Sequence, residues 1–131
     1  MNVLVLNSGS STLKFELVRT DAVRMRDNTD QKLARGTVER IGGEAVWAFA
    51  VPDRPTARGT VAARDHRAVL EFVINWMADP DSGVDIDAIG AIEAVGHRVA
   101  HGGERFRSSV RIDDEVLRAI EGTIDLAPLH N

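Results

Sequence analysis

The sequence contains no cysteine. A disulfide framework, a thiolate metal site and a cysteine nucleophile are therefore excluded. Nor does it contain any apolar run near the roughly 20 residues that span a bilayer. The amino terminus, Met1-Asn2-Val3-Leu4-Val5-Leu6-Asn7, lacks a basic stretch and a small-residue cleavage site, so it does not read as a signal peptide. The expectation is a cytoplasmic protein. Lys plus Arg is 16 against 20 Asp plus Glu, a formal net charge of −4. A dedicated nucleic-acid binder would carry a basic excess instead. Lysine itself is scarce: Lys14 and Lys32 stand alone against a background of arginine. No internal repeat or low-complexity tract is visible.

What is present is ordinary for a globular α/β protein: 131 residues, 44% hydrophobic and 27% charged. A chain of that length buries about two-thirds of its unfolded surface, enough for a real core. Residues 3–6 are a continuous apolar run and read as a buried strand. Leu13, Phe15 and Leu17 alternate with polar Lys14 and Glu16, giving a second strand with one buried face. So short a connection makes the two antiparallel neighbours. Residues 20–32 read as a surface loop, residues 33–41 and 45–51 as two strands around Gly42-Gly43, and residues 52–59 as a Pro/Arg/Gly loop. Val69, Leu70, Phe72, Val73, Trp76 and Met77 form a helical stripe within residues 65–78. Residues 86–94 carry mixed signals, residues 94–100 read as a strand, and residues 113–120 as a short helix. Strands first, then helix, strand and helix make a mixed α/β pattern.

Asn7-Ser8-Gly9-Ser10-Ser11-Thr12 has the composition of a phosphate cradle: glycine for unusual backbone angles, small hydroxyl side chains, and successive N–H groups able to face one anion. Lys14 could add a point charge. The segment is neither a GxxxxGKS/T nor a GxGxxG motif, and it runs into a strand where a P-loop would enter a helix. A plain hairpin connection has the same composition. His97-Arg98-Val99-Ala100-His101-Gly102-Gly103 places two histidines four apart, but Arg98 replaces the glutamate of a zinc helix and no third ligand is evident. On a strand, Arg98 and Ala100 would share one face. Arg98 then suits either a bidentate clamp on a carboxylate or phosphoryl group or a surface ion pair.

Together these segments resemble the acetate kinase family. Residues 7–15, with the apolar strand before them, are similar to its amino-terminal motif. Residues 96–103 are similar to its second motif, and Leu126-Ala127-Pro128-Leu129-His130-Asn131 to a third, which in the family continues further. The resemblance implies a ribonuclease-H-like α/β domain of the acetate and sugar kinase, heat-shock ATPase and actin superfamily, a mixed sheet with flanking helices. It implies reversible phosphoryl transfer from ATP to acetate, giving ADP and acetyl phosphate, with Mg2+. By that resemblance Asn7 would be associated with the metal, and Lys14, Ser10 and Thr12 with the nucleotide phosphates. Arg98 would bind the carboxylate and the transferring phosphoryl. His130 would be an active-site histidine, and Leu129 and Ala100 would border the pocket for the acetate methyl.

The family commonly carries valine where this chain has Ala100, so a wider pocket and better use of propionate are expected, a difference worth roughly 1–3 kcal/mol. The family's remaining catalytic residues have no counterpart within 131 residues. Residues 1–131 are thus expected to be the amino-terminal kinase domain of a longer, homodimeric enzyme, and inactive alone. The competing reading is a non-enzymatic phosphate- or nucleotide-binding half-domain.

Overall fold

A computed structural model describes residues 1–85, 87, 90–99 and 102–126. The apolar run and the alternation that follows it become β1 (Asn2–Ser8) and β2 (Leu13–Arg19), an antiparallel hairpin in which Leu4 faces Leu17 and Leu6 faces Phe15. The chain continues through α1 (Ala22–Asp27) into β3 (Gln31–Glu39), β4 (Gly43–Ala50) and β5 (Ala57–Ala63). Each of these strands lies antiparallel to the one before it. After α2 (His66–Ala78) and a 3₁₀ turn (Pro80–Ser82), β6 (Ile92–His97) returns to lie parallel to β1. The sheet order is β5-β4-β3-β2-β1-β6, a mixed sheet as expected.

One face of this sheet makes the core. Leu4, Leu6, Leu13, Phe15, Leu17, Val38 and Phe49 point to it and are buried. On α2, Val69, Val73 and Met77 recur every four residues, a spacing that keeps them on one helical face, and all three are fully buried. Phe49 sits at the centre of an aromatic group, with ring centroids 5.2 Å from Phe15 and 4.8 Å from Trp76. Asp65 caps α2 by accepting from the Ala68 N–H at 2.9 Å.

Three expectations are corrected. Residues 20–32 are not a simple loop: α1 and the start of β3 lie there. Asp21 caps α1, accepting from the Val23 and Arg24 N–H groups, and Asn28 ends it in the left-handed region with φ of 54°. The Arg24 N–H in particular holds the Asp21 carboxyl below its ordinary value. β5 occupies part of the segment read as a Pro/Arg/Gly loop. β6 ends at His97, so Arg98 follows the strand rather than lying on one of its faces; Ala100 lies outside the described residues.

By contact density the chain divides into Met1–His97 and Arg98–Asn131. In the second unit, Gly103 has φ of 64° and the Phe106 N–H donates to the Gly102 carbonyl at 3.2 Å, so the paired glycines make a turn. Then comes α3 (Asp114–Glu121), capped by Asp113 and bearing Asp114 and Glu115 in its first turn, where negative charge suits the helix dipole.

Candidate functional site

Side chains on a strand alternate between faces, so Asn7 and Lys14 lie on the face opposite the core. The hairpin register makes them direct cross-strand partners. Directly opposed Cβ atoms in such a pair stand about 5 Å apart, so an amide oxygen and an ammonium group are available side by side. The same row continues through Thr37 on β3 and Ala48 on β4 to Arg58 on β5. One step along, Glu16 is paired with Arg35 and Arg35 with Ala50.

This row forms the floor of an open recess of about 590 Å³. Its base is shallow at Ala48 and Ala50, and long side chains of Lys14, Arg35 and Arg58 rim it. Glu16 is engaged by Lys32 at 3.2 Å. Among the described residues Lys14, Arg35 and Arg58 form no ion pair, so the recess is electropositive in a chain whose net charge is negative. Cationic groups around an open recess attract anionic ligands.

At the end of the hairpin lies the Gly/Ser turn. The Gly9 N–H donates to the Thr12 carbonyl at 2.9 Å, closing it. A Cβ at Gly9 would come within 2.5 Å of the Thr12 hydroxyl oxygen, so only glycine lets that side chain lie where it does. The Ile41 N–H donates to the Ser11 carbonyl at 3.0 Å. The ring of His66, the first residue of α2, reaches the turn as well. Its Nε2 lies 2.7 Å from the Gly9 carbonyl oxygen and 3.1 Å from that of Thr12. Both partners are acceptors, so Nε2 carries the hydrogen.

The structure thus brings together Asn7, Lys14, Ser10 and Thr12 of the expected site. Arg98 begins the second unit, immediately after β6. Ala100, Leu129 and His130 lie outside the described residues. Among the described residues no three His, Asp or Glu side chains gather as a metal cage. What is offered to a divalent ion is the Asn7 side-chain oxygen. One neutral oxygen fits Mg2+ carried on nucleotide phosphates, where the ion keeps several waters, rather than an ion held by protein alone. His66, Arg35 and Arg58 were not visible as site residues in the sequence. Arg35 and Arg58 could have been found from the strand register, had β5 been recognised. No local pattern announces His66.

Comparison with known proteins gives the family and the fold. The chain is 51% identical to the acetate kinase of Solibacter usitatus and 44% identical to that of Chloroherpeton thalassium, covering the whole of this chain and 32% and 33% of theirs. A crystal structure of Porphyromonas gingivalis acetate kinase matches with a TM-score of 0.87 at 35% identity, over 99% of this chain and 31% of that one. The chain therefore spans about a third of the length of the relatives it matches. The family model described as the acetokinase family matches residues 2–131, and the chain belongs to that family.

Proposed function

We propose that the native protein transfers the terminal phosphoryl group of ATP to acetate, reversibly, giving ADP and acetyl phosphate. The observation that carries this reading is the cross-strand pair of Asn7 and Lys14 beside a hydroxyl-rich turn, in a chain of the acetokinase family. In the reaction an acetate oxygen forms a bond to the γ-phosphorus as the bond to the β–γ bridging oxygen breaks and its electrons leave with ADP. Acetate is already ionised at neutral pH, so no strong base is needed. The protein has to position the groups and offset charge on the equatorial oxygens.

Lys14, Ser10 and Thr12 hold the phosphates in this reading, and Arg98 binds the carboxylate and the phosphoryl group in flight. His130 lies beside the phosphoryl path. Leu129 and Ala100 border the methyl group of acetate, or the ethyl group of propionate. Asn7 meets Mg2+ borne by the nucleotide; that ion neutralises phosphate charge when bound. Residues 1–131 serve as the amino-terminal kinase domain of a cytoplasmic homodimer, with the rest of the catalytic machinery outside them.

The test is acetyl phosphate formation by the native protein, trapped as the hydroxamate. Arg98→Ala is expected to lower kcat/KM by about 100-fold or more, the scale of losing one charge-stabilising group. Full activity in that variant would remove Arg98 from the mechanism. Ala100→Val is expected to shift the propionate-to-acetate ratio of kcat/KM toward acetate by about tenfold. Residues 1–131 alone are expected to show no useful turnover.

A further inference from the structure

His66 stands more than 50 positions from the turn it touches, yet its ring nitrogen holds two of that turn's carbonyl oxygens. A third, that of Ser11, is held by the Ile41 N–H. Three of the four carbonyls between Gly9 and Thr12 are therefore drawn toward the protein. A trans peptide is planar, with its C=O and N–H on opposite sides. Fixing the Gly9 carbonyl toward His66 turns the N–H of Ser10 the other way. Fixing the Ser11 carbonyl toward Ile41 does the same for the N–H of Thr12. Among the described residues neither N–H meets a protein acceptor. Two outward N–H groups in a glycine-containing turn are the elements of an anion nest.

We infer that His66 is a positioning residue for the phosphate-binding turn: its Nε2–H clamps the Gly9 and Thr12 carbonyls so that the backbone N–H groups of Ser10 and Thr12 face the nucleotide phosphates. The inference rests on the nucleotide reading given above and adds a residue to it. The histidine is well suited to the task. A rigid ring at the first position of a helix whose cap is fixed by Asp65 has little freedom to lose. A single donor placed between two carbonyls orients both at once. Neither the neutral Nε2–H tautomer nor the imidazolium loses that donor.

The experiment compares His66→Gln with His66→Met in the native protein. The two side chains are alike in length, but only glutamine ends in an N–H donor. Two measurements are made on each: amide hydrogen exchange across residues 9–12 without nucleotide, and steady-state kinetics with MgATP and acetate. His66→Met is expected to speed exchange in the turn and raise KM for ATP about tenfold, since displacements of about 1 Å at such sites carry large rate penalties. KM for acetate should stay within about twofold. His66→Gln should restore both readouts most of the way, which a merely structural role would not produce. Equal exchange in the two variants would overturn the clamp whatever the ligand. Altered exchange with an unchanged KM for ATP would show a clamp unconnected with nucleotide, and would overturn the assignment. Failure of the unsubstituted protein to bind ATP would instead sink the nucleotide reading, and this inference with it, while leaving the exchange result standing.

Discussion

On β2, Leu13, Phe15 and Leu17 enter the core that α2 completes, while Lys14 and Glu16, one residue out of step, face the other way. The two faces of one sheet thus divide the labour. The core face is continuous hydrocarbon, and its substitutions should be read in stability. The opposite face carries a row of polar and cationic groups over small alanines, and its substitutions should be read in binding. The period-two geometry of a strand places the two sets within a few ångströms of each other without mixing them. A pleated sheet lets this cationic row be altered at little cost to the fold, provided the register holds.

That separation can be broken or sharpened in graded steps. The largest effect is expected from Phe49→Ala, which empties the centre of the aromatic group; about 3–5 kcal/mol of stability should be lost in denaturant unfolding. Gly36→Ala comes next. A Cβ there would run into the rings of both Phe49 and Phe15, and overpacking of this kind costs about 1–3 kcal/mol. If Gly36→Ala left thermal unfolding unchanged, the core face would be looser than its burial suggests. Lys14→Met tests the other face: stability should move by less than about 0.5 kcal/mol, whereas calorimetric binding of ATP weakens about tenfold. A large drop in Tm for Lys14→Met would show that the faces are coupled.

The smallest effect concerns Asp21, the cap of α1. Its carboxyl titrates lower in the folded state, so its charge contributes stability above the ordinary carboxylate value. That contribution fades as pH falls through the lowered one. Asp21→Asn keeps a capping side chain but does not titrate. The difference in Tm between the two proteins, present at pH 7, should therefore begin to shrink only as pH falls below the ordinary carboxylate value of about 4, and vanish once pH is below the lowered one. A difference that persisted in acid would point to the shape of the cap rather than its charge.

Much of this was legible in the residues. The hairpin of β1 and β2 followed from its alternation, and α2 from its four-residue stripe, because in both cases burial imposes a period on the sequence. α1 was missed because it buries nothing: six residues held by caps at both ends leave no apolar period. β5 was missed for a different reason. Its inward positions are Ala57, Gly59, Val61 and Ala63, small because the Trp47 ring already fills the space above Gly59, where a Cβ would lie 2.7 Å from it. Bulk supplied by one strand erases the signal in the next. Asn7 and Lys14 were legible as a pair once the antiparallel turn was accepted. The reach of His66 to the turn was not, since contacts between distant segments leave no mark on either one.

The topology also fixes an order of assembly. β1 to β5 form a meander in which every neighbouring pair is consecutive along the chain, so each closes over a local connection, the one between β2 and β3 carrying α1. β6 alone must find β1 from the far side of α2, a pairing with a much larger closure cost. Pulsed hydrogen-exchange labelling during refolding should therefore protect the β1–β2 amides before those of β6. The turn at Gly9 would form early and be set in its final orientation only later, when α2 docks and brings in His66. Protection of β6 ahead of the hairpin would contradict that sequence of events.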